Sequence, residues 1–202
     1  MEHPHKNIFK KNAPLRPIGS LATNWSLNTV CALALLVSCS KEEGSKIEAK
    51  PTLLAPPIEM SAVTSFIAFG EELTPQQKNP ALEYVANTSS LPVRAVCSGY
   101  IEKIVLNQHI ADYEIRIRLS PNSPWLIIYD HIIAPEVSEG DSVVSQDILG
   151  TIGLGNRTEL QINHESGNHQ IAHCPLQFGT VSFVRAHTDI SPSWCLEDTV
   201  TP

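Results

Sequence analysis

Four histidines, His131, His164, His169 and His173, share the second half of the chain with Glu159, Gln161, Glu165 and Cys174. These side chains are the raw material for a zinc hydrolase. Such a site needs three protein ligands and an open position, where the metal lowers the pKa of a bound water. No two of them fall in a recognised two-ligand motif on one element. The run His164-Glu165-Ser166-Gly167-Asn168-His169 reads instead as a turn with exposed polar side chains. No serine stands in a Gly-x-Ser-x-Gly elbow, and Gly153-Leu154-Gly155 lacks the third glycine of a phosphate loop. His131, in Tyr129-Asp130-His131, stands at a strand end. A lone imidazole has no chemistry to serve there, so a structural role is favoured, bonding Asp130 or Glu159.

The elements that must position these groups are short strands. Val93-Arg94-Ala95-Val96-Cys97 ends at Ser98-Gly99, and Tyr100 to Leu106 follows directly. Tyr113-Glu114-Ile115-Arg116-Ile117-Arg118-Leu119 alternates apolar and charged residues, the mark of a strand with one wet face. A turn over Ser120–Pro124 leads to the apolar run Trp125–Tyr129, suited to a buried strand. Further strands are expected at Ser142–Val144, Ile148–Ile152, Glu159–Asn163 and Thr180–Val184. Helix is scarce, with one candidate around Pro80 to Ala86. Many short strands with turn punctuation imply an all-β sandwich or barrel-like domain.

The first residues carry Lys6, Lys10, Lys11 and Arg16 against one acid, Glu2. The apolar run Val30–Val37 follows, too short to span a bilayer, and Ser38-Cys39-Ser40 closes it. Basic flank, apolar segment and small residue describe a secretory signal over residues 1–38. Leu36-Val37-Ser38-Cys39 resembles the lipobox of bacterial lipoproteins, which implies a lipidated Cys39 as first mature residue. Ser40 after it resembles the sorting signal for an outer membrane, so the expected place is the envelope, facing the periplasm. Residues 39–60 are charged and then proline-rich (Pro51, Pro56, Pro57) and read as a flexible tether. The β-domain is expected over 61–190, with a tail at 191–202.

The leader holds four of the 14 Lys+Arg and one of the 21 Asp+Glu, which leaves ten bases against twenty acids, a net charge of −10. Nucleic acid is excluded as a partner, because phosphate neutralisation needs lysine and arginine. Anionic lipid adds no attraction either, so the acyl anchor must do the holding. In an exported chain disulfides persist. Cys174–Cys195 is the preferred pair, a staple of ~3 kcal/mol for a loop of that size. Cys97 within its strand reads as a buried thiol, and a Cys97–Cys174 bridge stays open as the rival.

The middle of the chain has a recognisable order. Leu91-Pro92-Val93-Arg94-Ala95 comes first, then Gly99-Tyr100-Ile101, Tyr129-Asp130-His131-Ile132 and Val137-Ser138-Glu139-Gly140-Asp141-Ser142-Val143. Ile152-Gly153 and Glu159-Leu160-Gln161 close the series. It is similar to the LytM/M23 peptidoglycan endopeptidases, over about residues 80 to 178. The resemblance implies a β-sandwich of the barrel-sandwich hybrid type and one zinc ion held by a His-x-x-x-Asp pair and a His-x-His strand. His131 matches the assisting histidine of Tyr-x-His. Glu159 and Gln161 stand in place of the His-x-His pair, and Gln161 takes the ligand position. A neutral amide oxygen is a poor zinc ligand. Upstream, where the His-x-x-x-Asp pair belongs, Glu83 is the only acid.

The expected protein is therefore a degenerate LytM/M23-like lipoprotein, with no cofactor and with His131 and Glu159 as vestigial catalytic positions. Tyr129, His131, Glu159 and Gln161 would line a groove for peptidoglycan or a cell-wall hydrolase. The first alternative is an active zinc endopeptidase, its ligands drawn from His131, Glu159, His164, His169 and His173. The second is a lipoyl-like periplasmic adaptor, suggested by Gly140-Asp141-Ser142-Val143 but lacking a tip lysine and a coiled-coil hairpin.

Overall fold

β-Branched and aromatic residues alternate with polar ones along most of the chain, and the alternating runs become strands whose apolar faces meet. The computed structural model describes residues 49–202. The leader, its apolar run and Cys39 lie outside the described residues. In chain order the strands are β1 (Val63–Ile67), β2 (Glu72–Thr74), β3 (Gln77–Lys78), β4 (Leu82–Ala86), β5 (Pro92–Arg94), β6 (Gly99–Leu106) and β7 (Tyr113–Arg118). Next come β8 (Trp125–Ile133), β9 (Ser142–Val143), β10 (Ile148–Ile152), β11 (Arg157–Ser166) and β12 (His169–His173). The helix α1 (Val181–Thr188) and the strand β13 (Thr199–Val200) complete the set. The all-β expectation holds, with one short helix among the described residues.

The main path of the large sheet runs β1-β4-β11-β8-β7-β6-β9, all antiparallel, with β10 joining β5 to β8 and β12 joining β11 to β13. Long strands β8 and β11 lie side by side in the centre, from Glu159 opposite Asp130 to His164 opposite Trp125. Because side chains alternate, Leu160 and Ile162 face one way and Glu159, Gln161 and Asn163 the other. The first face meets Ile115, Ile117, Ile127 and Leu149 in one core. The second is polar. It carries the site.

Several segments differ from the expectations. Pro80–Ala86 is no helix: Leu82–Ala86 is strand β4, held between β1 and β11. Thr180–Val184 is no strand: the Thr180 hydroxyl accepts from the Phe183 amide at 3.4 Å and caps α1. Phe183 and His187, one helical turn apart, are both buried by that helix. Capping and burial of an i, i+4 pair override the β-propensity of Thr180, Val181 and Val184.

The boundaries move as well. Leu53, inside the expected tether 39–60, is fully buried; its amide donates to Phe178 O and its carbonyl accepts from Thr180, both at 2.9 Å. The prolines forbid a helix there, but apolar Leu53 and Ile58 still find the core, so the packed domain begins earlier than residue 61. The tail 191–202 is structural too. Trp194 is fully buried, Val200 pairs with Ala172, and Cys195 is bonded to Cys174 with a Cα–Cα distance of 6.0 Å. Among the described residues, Cys97 is the free, buried cysteine. Burial pushes its thiol up to about 12, so it carries no nucleophile.

Candidate functional site

Three neighbouring strands bring three carboxylates into one row. Glu83 on β4 stands opposite Glu159 on β11, which stands opposite Asp130 on β8. Like charges directly across a ladder repel. The row therefore needs cations, and the structure supplies two, His131 and Arg157.

His131 reaches the row through a defect in the strand. The β7–β8 register passes from Tyr113 opposite Ile132 to Ile115 opposite Tyr129, so β8 carries one extra residue at Asp130–His131. Such a bulge re-aims side chains. His131 takes φ 59°, a left-handed conformation rare outside glycine, and its amide donates to its neighbour Asp130 Oδ1 at 2.7 Å. Gly153 accommodates this: a Cβ there would lie 2.6 Å from the His131 carbonyl oxygen.

Both imidazole nitrogens are then engaged. Nδ1 donates to Asp112 Oδ2 at 2.7 Å, and Nε2 lies 3.3 Å from Glu159 Oε1. Asp112 is fully buried, and its second oxygen accepts from the Asn107 amide at 2.7 Å. The same amide nitrogen lies 2.7 Å from Asp130 Oδ1. Burial opposes a charge on His131, but its hydrogen bonds to Glu159 and Asp112 and the charge of Asp130 outweigh that, and its pKa rises to about 9. The nearby Arg157 charge works against this, but the balance favours the protonated ring, with Nδ1 donating to Asp112, and leaves His131 a poor base.

Arg157 closes the cluster. Its Nη2 lies 3.1 Å from Glu159 Oε1 and against His131 Nε2, and its Nε is 3.4 Å from Glu83 Oε1. Burial and the neighbouring Glu159 still hold Glu83 above the usual carboxylate range, against the pull of Arg157 and His131.

A zinc ion does not fit these residues. Gln161, at the position where the resemblance expects a ligand, donates its amide to Asn163 Oδ1 at 2.8 Å. Glu159 is claimed by Arg157 and His131. Asp112, Asp130 and His131 do bring ligand-type atoms within 4.8 Å of one another. The Asn107 amide, however, donates into the space between the two aspartates, and His131 Nδ1 already serves Asp112. This cluster is a closed hydrogen-bond network.

The other expected residues go elsewhere. Tyr129, placed in the groove by the sequence reading, is fully buried on the core face, where its hydroxyl accepts from the Val96 amide at 2.7 Å. Strand parity puts it opposite Leu160, not Glu159. His164 also faces away from Glu159, and sits against Trp125 with ring centroids 4.6 Å apart. His173 joins that aromatic cluster, 5.3 Å from Trp125, while His169 is exposed at the start of β12. A zinc site drawn from His131, Glu159, His164, His169 and His173 is thus corrected by parity: the last three do not meet the first two. Asp112, Asn107 and Arg157 were missed, and Glu83 was noticed only as an acid. Nothing local in the sequence marks Asp112, because a register shift brings it to His131.

Helicobacter pylori Csd3, an M23/LytM peptidase structure, matches 65% of this chain and 36% of its own length, at 17% identity and a TM-score of 0.50. The SpoIIQ–SpoIIIAH pore-forming complex matches 72% of this chain and 99% of its own, at 16% identity and a TM-score of 0.52. The chain has the fold of the LytM/M23 peptidase domains. The catalytic domain of the prophage-encoded M23 protein EnpA from Enterococcus faecalis is also similar, at 20% identity over 60% of this chain and 94% of its own, with a TM-score of 0.47. This LytM/M23-like chain therefore spans about a third of Csd3. No protein-family model and no curated protein matches its sequence.

Proposed function

We propose that this is an envelope lipoprotein whose LytM/M23-like domain has lost zinc peptidase chemistry and binds peptidoglycan through its polar sheet face. The observation that carries the reading is mutual engagement at the vestigial positions: Glu159 with Arg157 and His131, Gln161 with Asn163. Beyond them the polar groups continue, from Asn163 to Gln170 at 3.5 Å and from Gln170 to Glu165 at 2.7 Å. Amide side chains offer donors and acceptors together, which suits the hydroxyls and peptide groups of a glycopeptide. A cell-wall hydrolase is the second candidate partner, supported by SpoIIQ, a fold neighbour seen in complex with another protein.

Co-sedimentation with purified peptidoglycan tests this. The chain without its leader should pellet with the polymer, and Gln161→Lys should weaken binding by roughly tenfold, about 1.4 kcal/mol. Cleavage of peptidoglycan cross-links, abolished by a chelator and restored by zinc, would overturn the reading. The anchor is tested separately. Expressed in a bacterium, the full chain should partition into detergent and Cys39→Ser into water, because acyl chains supply the membrane affinity.

A further inference from the structure

We infer that the Arg157 guanidinium is the resident cation of this site and shuts it to a divalent metal ion of the zinc class. A guanidinium and such an ion seek the same partners. Arg157 donates to the Glu159 carboxylate at 3.1 Å, and its Nε stands 3.4 Å from Glu83 Oε1 as an ion pair without a hydrogen bond. Two carboxylates and an imidazole form a donor set a zinc ion would accept. Here the positive charge comes from the chain itself.

The backbone makes this placement hard to avoid. Arg157 and Glu159 are two apart on β11 and point to the same face, and Glu83 stands opposite Glu159 on β4. A long side chain two positions along reaches over a cross-strand pair. The residue type matters equally. A lysine could lose its proton and yield to an incoming ion, whereas arginine stays charged at every pH a protein survives. A divalent ion entering the row would therefore meet a fixed like charge at contact distance.

The inference concerns the metal, not what the polar face binds, so its test and the co-sedimentation test fail separately. Zinc chloride is titrated at neutral pH into the full chain, into Arg157→Gln and Arg157→Ala, and into Arg157→Gln combined with His131→Ala. Calorimetry and the His131 imidazole resonances are read. The parent chain should leave those resonances unmoved at a zinc excess of roughly tenfold, a ratio that reveals any micromolar site. Arg157→Gln should gain one zinc that shifts them, and the double variant should lose it. Zinc shifting His131 in the parent overturns the inference. So does either single variant, folded by its amide spectrum, that takes up no zinc through His131.

Discussion

Trp194→Ala should destabilise the domain by about 4 kcal/mol, within the range for burying and then deleting a large aromatic. Trp194 is fully buried, although it lies in the stretch that the sequence presents as a tail. Its ring stacks on Phe66 with centroids 4.0 Å apart and meets Tyr84 at 5.3 Å and His187 at 5.0 Å. Its Nε1 donates to the His187 carbonyl at 2.7 Å, tying the tail to the end of α1. Alanine leaves a cavity among three aromatic rings and a carbonyl without its donor. Phenylalanine would restore most of the bulk but not the hydrogen bond, and should cost about 1 to 2 kcal/mol. Denaturant unfolding followed by circular dichroism measures both, and the Cys174–Cys195 bond stays intact in each. A loss under ~1 kcal/mol for alanine would show that the last twelve residues are an appendage after all.

The same tail shows what a sequence makes legible and what it hides. Runs such as Tyr113–Leu119 announce β7 because period-two alternation is a local property, visible without knowing any partner. The segment around Trp194 has no period, and its burial depends on Phe66 of β1 and Tyr84 of β4, far away in the chain. Thr180–Val184 misleads for the opposite reason. Its β-branched residues suggest a strand, yet Phe183 and His187 become useful to the core only when four residues make one turn. In the site, His131 and Glu159 were readable as partners because each sits in a recognisable strand motif, and they are 3.3 Å apart. Asp112 and Arg157 were not. The first arrives through the extra residue in β8; the second lies two residues from Glu159, but its approach to Glu83 and His131 comes through cross-strand register, which residue types do not spell out.

Asp112→Ala should be nearly as damaging, at about 3 kcal/mol, because it strands a buried cation by removing its buried partner. Asp112 is fully buried, its Oδ2 is 2.7 Å from His131 Nδ1, and its Oδ1 receives the Asn107 amide. Asparagine keeps the shape and one acceptor, and should cost about 2 kcal/mol through the lost charge. The pH dependence separates an ion pair from mere packing. His131 rises from an ordinary value of 6.5 to about 9 in the folded chain, so folding binds an extra proton between those values. Its contribution is complete below pH 6.5 and drains away as pH climbs through 9. His187 works in the other direction. It is buried and neutral, its Nδ1 donates to Phe183 O at 2.8 Å, and its Nε2 accepts from the Tyr84 hydroxyl at 2.9 Å. Burial drives its pKa down to about 4, against that Phe183 hydrogen bond. Its contribution is complete above pH 6.5 and is lost as pH falls toward 4. The stability curve of the parent chain should therefore decline on both sides of neutrality. In Asp112→Ala the alkaline decline should flatten, because His131 relaxes toward its ordinary pKa, while the acid decline stays. An alkaline limb unchanged in Asp112→Ala would mean that the pair with Asp112 does not hold the His131 proton, and the electrostatics drawn for the row of acids would go with it.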